Sequence, residues 1–239
     1  MSDRTGQHLG NYHLLRLLGK GGFAEVYLGK HTHLATQAAI KVLLAHLGSP
    51  TDVEGFREEA QTIARLIHPH IVRVLDFDVA QGVPFLVMEY APHGSLRAQH
   101  PRGQPIPLSL MLSYVQQIAN ALHYAHERKL IHRDVKPDNM LLREDGSVIL
   151  SDFGIVTIAH STSSYQLTGR AGTPVYMAPE QMNGEPRPAS DQYALAVTVY
   201  EWITGQLPFR GTALEVAMQH AMKHPPSLIE QVPTLPADV

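Results

Sequence analysis

The chain has no cysteine among its 239 residues. That excludes disulfides, thiolate metal centres and a cysteine nucleophile, and it fits a reducing compartment. Long apolar runs are missing as well. No stretch approaches the roughly 18 to 20 apolar residues that a membrane span needs. The longest candidate, YALAVTVYEWIT from Tyr193 to Thr204, is too short and carries Glu201; it predicts a helix buried on all sides. The start, MSDRTGQHLGNYH, lacks the apolar core of a signal peptide. An excess of charge of one sign is also absent. The formal net charge is −3 and the pI near 6.6, which gives no footprint for nucleic acid or a membrane surface. The fifteen histidines show no HExxH or paired-ligand spacing, so no metal–imidazole site is expected. No internal repeat of solenoid period is found. These absences set the expectation of a cytoplasmic chain with no nucleic-acid partner and no membrane segment; an anchor of a parent protein would lie outside it.

What is present is a globular composition, 44% hydrophobic and 17% charged. The length suits one large domain or two small lobes. From residue 11 to 91, short apolar runs alternate around one helical pattern. From Ser109 onward long helical patterns dominate, interrupted between Ile155 and Pro179. Pro92 and Gly94 break regular structure at the join. The expected fold class is therefore α+β: a small sheet-rich lobe over 11–91 and a larger, mainly helical lobe over 92–239, with a ligand cleft between them. The proline-rich stretch Pro101–Pro107 reads as an interhelix linker.

The most informative stretch is LIHRDVKPDNMLLREDGSVILSDFG, residues 130–154. Met140–Leu142 and Val148–Leu150 read as strands joined by the turn signal Asp145-Gly146. With those two residues at the centre of the turn, Asn139 faces Asp152, their backbones roughly 4.5–5.5 Å apart. A longer turn that includes Arg143 and Glu144 shifts the register slightly and still joins the ends. Two oxygen-bearing side chains at the open end suit a hard cation such as Mg2+. Asp134 and Lys136 lie in the feeding loop, where a carboxylate can accept a hydroxyl proton and an ammonium can balance phosphate charge. Each of these residues alone reads better as a turn or surface residue; four ordered around one hairpin read as chemistry.

Other segments carry further candidates. Leu18-Gly19-Lys20-Gly21-Gly22-Phe23-Ala24-Glu25-Val26 lies between apolar flanks that predict two strands, and its glycines allow close approach to phosphate. No Gly-Lys-Ser/Thr follows, so it is not a Walker loop. Ala38–Leu43 predicts a strand carrying Lys41. Phe56, Ala60, Ile63, Ala64 and Ile67 form one helical stripe. Glu59 lies at the border of that stripe, where it can face inward toward Lys41, and Glu58 lies on the far side. Pro84–Ala91 predicts a strand running into the interlobe link.

His132-Arg133-Asp134 with Lys136 and Asn139, followed by Asp152-Phe153-Gly154, resembles the catalytic and metal-binding loops of protein kinases. The resemblance extends from Asn11 to about Leu228. It implies ATP and Mg2+ as cofactors, with Asp134 as catalytic base, Lys136 on the transferred phosphate, and Asn139 and Asp152 on the metal. His132 and Phe153 are packing residues in this reading. Lys41 binds the nucleotide phosphates, oriented by Glu59. Leu18, Gly19, Gly21 and Gly22 cover the nucleotide, with Ala24 where the family pattern has a third glycine. Val26, Ala39 and Leu141 sandwich the adenine, Met88 guards the back of its pocket, and the backbones of Glu89 and Ala91 meet its edge. Gly172-Thr173-Pro174-Val175-Tyr176-Met177-Ala178-Pro179-Glu180 resembles the end of a kinase activation segment. Thr173 would shape the acceptor pocket, and Thr162, Ser163, Ser164 and Thr168 are candidate phosphorylation sites. Thr168 is favoured, its phosphate paired with Arg133. Asp191 would hold the catalytic-loop backbone.

The implied activity is transfer of the γ-phosphoryl of Mg-ATP to serine or threonine of protein substrates, with self-phosphorylation in trans, in a bacterial-type kinase; Lys136 favours serine/threonine over tyrosine specificity. The alternatives are a nucleotide-binding pseudokinase or inactive truncated fragment, and a small-molecule phosphotransferase of related fold. The family's lower lobe normally continues past HAMKHPPSL. An incomplete lobe is therefore expected, with Glu180 lacking a basic partner and apolar surface exposed.

Overall fold

A computed structural model of the chain describes residues 3–22, 24–44, 47, 49–153 and 174–236. Among them the chain divides after Ala91 into two compact units.

The first unit is built on an antiparallel sheet of six strands: β1 (His8–Leu9), β2 (Tyr12–Lys20), β3 (Ala24–His31), β4 (Gln37–Leu43), β5 (Val74–Ala80) and β6 (Val83–Met88), in the order β1-β2-β3-β4-β6-β5. Its central strands alternate residues between two faces, as the pleat demands. One face holds Tyr27, Ala38, Ile40, Val42, Phe85 and Val87, which pack with Leu9, Tyr12 and Leu14 into a buried cluster. Direct cross-strand partners share a face, and the pairs Val26↔Lys41, Leu28↔Ala39, Ala39↔Met88, Lys41↔Leu86 and Phe77↔Leu86 define the other.

Helix α1 (Pro50–Ala64) starts where the sequence provides an N-cap. The Ser49 hydroxyl accepts from the Asp52 N–H at 3.1 Å, the Asp52 carboxylate accepts from the Ser49 N–H at 3.3 Å, and Pro50 occupies the first turn. Phe56, Ala60 and Ile63 are buried on it, and Phe56 meets Phe77 edge-to-face at 6.2 Å. The helix stops before Ile67, which is exposed, contrary to the predicted stripe. The Arg65 and Leu66 N–H groups turn back onto the Gln61 and Ile63 carbonyls, and Pro69 follows, so Leu66 takes the buried place instead. Strand β6 likewise ends at Met88 rather than Ala91: the Glu89 N–H leaves the ladder for the Arg73 carbonyl at 3.0 Å.

The second unit contains α2 (Leu96–Gln99), α3 (Leu108–Glu127), a 3₁₀ turn (Pro137–Asn139), the hairpin β7 (Met140–Leu142) and β8 (Val148–Leu150), then α4 (Pro179–Met182), α5 (Pro188–Thr204), α6 (Ala213–Met222) and α7 (Leu228–Gln231). Along α3, Met111, Tyr114, Ile118, Ala121, Leu122 and Ala125 make the buried stripe, which packs on α5 and β8. Helix α5 begins five residues before the predicted Tyr193, because Pro188 has no N–H to leave unpaired at the first position. It is not buried on all sides either: Gln192 and Ala196, four apart, form an exposed strip. Gly205 ends it in the left-handed region (φ 71°). The Pro101–Pro107 linker covers that end, its Gly103 and Ile106 N–H groups taking the Gly205 and Trp202 carbonyls at 2.9 and 2.8 Å.

The β7–β8 strands span the predicted residues, but the register follows the longer turn. Met140 pairs with Leu150 and Leu142 with Val148, so Asn139 meets Ser151 rather than Asp152; the Ser151 N–H donates to the Asn139 carbonyl at 2.8 Å. A two-residue turn of the favoured hand needs positive φ at both central positions. Here only Gly146 has it (φ 80°). The Asp145 carboxylate accepts from the Ser147 N–H at 2.9 Å, and the Gly146 N–H returns to Arg143, so the loop runs from Arg143 to Ser147.

Candidate active site

In the second unit, Asp134, Lys136 and Asn139 converge. Lys136 Nζ lies 2.9 and 2.8 Å from the two Asp134 carboxylate oxygens. The Asn139 amide donates to the Asp134 backbone carbonyl at 2.8 Å and to its Oδ2 at 2.9 Å. The Asp134 side chain remains 37% exposed, so it is open to a small group from solvent. With its NH2 committed to Asp134, buried Asn139 has its amide oxygen to offer a cation.

The loop carrying these groups is fixed from beneath. Asp191, 1% exposed in the first turn of α5, accepts from the His132 and Arg133 N–H groups at 2.8 Å each, and His126 Nε2 lies 2.8 Å from the same carboxylate. His132 is fully buried. Its Nε2 reaches the Ser151 carbonyl at 2.7 Å. A carbonyl can only accept, so Nε2 carries the hydrogen, and Nδ1 accepts from the Asp134 N–H at 3.2 Å. The imidazole thereby couples the Asp134 backbone to the end of β8, and its ring meets buried Phe153 at 4.5 Å. Arg133 and Asp152 adopt left-handed backbone (φ 68° and 72°). Non-glycine residues hold that conformation at a cost of about 1–3 kcal/mol, and it persists where surrounding contacts over-determine it.

In the first unit, Val26, Ala39, Lys41 and Met88 share the face opposite the buried cluster. Gly19 pairs with Val26 on that face, and a Cβ added to it would meet nothing within 4 Å. Lys41 is 6% exposed. Phe77, against which α1 packs through Phe56, belongs to the same row as Lys41 and Leu86. Glu59, half-buried on α1, is therefore on the Lys41 side of the sheet, while Glu58 is exposed. The glycine-rich hairpin is closed by Gly21 N–H to the Ala24 carbonyl at 2.8 Å and by the pair Lys20–Glu25 at 2.7 Å. The Tyr27 hydroxyl also donates to Glu25 at 2.9 Å. These bonds, Lys20 first, hold the Glu25 carboxyl below its ordinary range. Leu18 is partly exposed, Gly21 and Gly22 are exposed, and the Glu89 N–H is taken by Arg73, so a ligand contact through the Glu89 backbone would use its carbonyl. Leu141, in the second unit, is bridged to Ser95. Thr162, Ser163, Ser164, Thr168 and Thr173 lie outside the described residues.

One cluster was not read from the sequence. The Glu201 carboxylate, 2% exposed on α5, accepts from Arg97 at 3.0 and 2.8 Å, from Arg102 at 3.2 Å and from the Tyr176 hydroxyl. Burial first, and then Glu201, push the Tyr176 phenol well above its ordinary value. Arg97 also lies 3.6 Å from Asp138, the neighbour of Asn139. The available signal was a lone glutamate in an apolar helix, which requires a partner when buried. At the other end of α5, the Glu180 carboxylate accepts from the Ser190 hydroxyl, and among the described residues no basic side chain meets it.

A sheet face carrying one buried lysine, a glycine-rich hairpin and a clamped Asp–Lys–Asn loop are the parts of a phosphoryl-transfer domain. Residues 12–236 match the protein kinase domain family, and the chain belongs to it. It is 34% identical over 233 residues to the serine/threonine-protein kinase PrkC of Bacillus subtilis, covering 96% of this chain and 36% of that protein. It is 39% identical over 242 residues to the serine/threonine-protein kinase PknA of Mycobacterium tuberculosis, covering 98% and 56%. Against the serine/threonine-protein kinase Pkn1 of Myxococcus xanthus it is 38% identical over 230 residues, covering 93% and 33%. The chain thus spans between a third and a little over half of these relatives. Among the described residues, no helix is long and apolar enough to cross a membrane.

Proposed function

We propose that the chain transfers the γ-phosphoryl group of ATP to serine or threonine hydroxyls of protein substrates. The observation that carries this is the Asp134 carboxylate, exposed yet held by Lys136 and Asn139 on a loop anchored by Asp191. The acceptor hydroxyl gives its proton to Asp134 as its oxygen forms the new bond to the γ-phosphorus, and the bond from that phosphorus to the β–γ bridging oxygen breaks. The Lys136 ammonium offsets charge on the transferred group. The donor set fits a hard cation: the Asn139 amide oxygen and the Asp152 carboxylate would hold Mg2+. When bound, Mg2+ would neutralise charge on the phosphates.

On the nucleotide side, Lys41, oriented by Glu59, takes phosphate oxygens, and the open backbone at Gly19 lets the hairpin with Leu18, Gly21 and Gly22 approach them. Val26, Ala39 and Leu141 pack on the adenine, with Met88 behind it and the Glu89 carbonyl and Ala91 backbone at its edge. Self-phosphorylation in trans at Thr168, read by Arg133, and acceptor selection by Thr173 complete the reading, as does action on proteins rather than nucleic acids, in the cytoplasm.

The test is incorporation of labelled γ-phosphate from Mg-ATP into a generic protein acceptor, with the modified residue identified and nucleotide binding followed by calorimetry. Phosphoserine or phosphothreonine is the expected product. Binding of Mg-ATP without incorporation into any protein would overturn the reading.

A further inference from the structure

Helix α6 has two unlike faces. Leu214, Met218 and Met222 recur every four residues on the exposed one, while Val216 and His220 are buried on the other. His220 is 5% exposed and lies between the rings of Phe209 and Tyr193, with centroids 4.8 and 5.6 Å away. Both ring nitrogens are engaged. Nε2 lies 3.2 Å from the Val175 carbonyl and Nδ1 lies 2.7 Å from the Tyr193 hydroxyl. Since the carbonyl only accepts, Nε2 must donate, and Nδ1 is left to accept from Tyr193. Burial pushes the imidazole below its ordinary value, with the Val175 bond opposing, which agrees with a neutral ring in this arrangement.

Val175 lies between Thr173 and Tyr176, in the segment that leads to α4. Tyr176 is held through its side chain by Arg97 and Glu201. Val175 is held through its main chain by His220. Consecutive residues are thus fixed by different elements, α2 and α5 for one and α6 for the other.

We propose that His220 is a positioning residue for the protein substrate: from α6 it fixes the backbone of the Pro174–Ala178 segment against which the acceptor polypeptide is aligned. This rests on the protein kinase reading above. A residue in this place needs a donor toward Val175 and an acceptor toward Tyr193, presented by one flat group between two rings, which a neutral imidazole supplies. Its role is alignment rather than chemistry, since it touches no reacting atom.

The test compares wild type with His220→Phe, which keeps the ring packing and removes both bonds, and His220→Gln, whose Nε2 can still donate to Val175. His220→Phe is expected to raise KM for a protein acceptor about 3- to 10-fold, as loss of the buried bond to the Val175 carbonyl implies, with KM for ATP unchanged. His220→Gln should restore most of that loss. Hydrogen exchange of the wild type and both variants gives a readout independent of turnover: faster exchange across residues 174–178 is expected in His220→Phe and not in His220→Gln. Unchanged exchange there in His220→Phe would overturn the anchoring, whatever the activity. Equal losses in kcat and in both KM values, without rescue by glutamine, would reduce His220 to a core residue. Phosphate transfer absent from the wild type would instead count against the kinase reading, with the exchange result still deciding the anchor.

Discussion

Asp191 shows how much of the site depends on one buried group that takes no part in the chemistry. Its carboxylate accepts the His132 and Arg133 N–H groups of the loop that carries Asp134 and meets His126. Asp191→Ala leaves those buried donors unsatisfied, each at about 1–3 kcal/mol. Thermal unfolding of this variant is expected at a clearly lower temperature, with phosphate transfer lost. Asn139 tests a different role. Asn139→Ala removes both the bonds to Asp134 and the proposed metal donor. The Mg2+ concentration for half-maximal transfer is therefore expected to rise on the order of 10–100-fold, the range seen when metal-site support is removed. An unchanged Mg2+ requirement would take Asn139 out of the metal site. Residue types at fixed spacing made this loop legible in the sequence. Of the residues beneath it, the resemblance supplied Asp191 and His132, whereas Ser151 was not read: besides its hydroxyl it contributes main-chain bonds, which no side-chain pattern reveals. Glu201 and Tyr176 are distant in sequence and meet only after folding.

At the scale of elements, turns decide what periodicity cannot. The β7 and β8 strands could be read from apolar runs, but their register depends on how Asp145 and Gly146 divide the turn. Only Gly146 takes positive φ, and that one torsion moves Asn139 from Asp152 to Ser151. Gly146→Ala is expected to destabilise by about 1–2 kcal/mol, the backbone cost of the left-handed conformation, because an added Cβ meets nothing within 4 Å. Gly205→Ala is expected to cost more than Gly146→Ala in denaturant titration. Its φ is equally left-handed, and the new Cβ would lie 3.1 Å from the Gly103 carbonyl carbon, which the linker cannot easily move. Equal losses would remove the linker contact from the explanation. Helix ends were the other weak point of sequence reading. The apolar stripe of α1 continues in pattern to Ile67, yet capping of the last carbonyls and Pro69 end the helix earlier.

For the whole molecule, the proposed reaction would draw on both units: one offers a sheet face with a buried lysine, the other an anchored acid. Buried titratable groups connect its stability to pH. His220 and His100 are both lowered from the ordinary value of 6.5, by burial in each case. For His220 the facing groups are the Tyr193 hydroxyl from α5 and the Val175 carbonyl, and Glu180 acts on Tyr193; for His100 the facing group is the Tyr114 hydroxyl at 3.4 Å. A depressed histidine leaves the unfolded chain holding more protons than the native one just below 6.5, so stability is full above that pH and falls on acidification. The lowered Glu25 adds a loss of the same sign beneath its ordinary 4.5. Tm is expected to decline from pH 6.5 toward 5, and the slope to be shallower in His220→Gln. A flat Tm over that interval would contradict the lowered imidazoles of buried His220 and partly buried His100.

In the proposed reaction Asp134 accepts the hydroxyl proton during phosphoryl transfer. Mass spectrometry of the purified chain and a protein acceptor after incubation with Mg-ATP, for wild type and Asp134→Asn side by side, tests it most directly. Phosphoserine or phosphothreonine is expected with the wild type, and a loss of roughly 10²–10⁴ in rate for Asp134→Asn, while Mg-ATP binding is retained. Equal phosphate incorporation by the two proteins would contradict it.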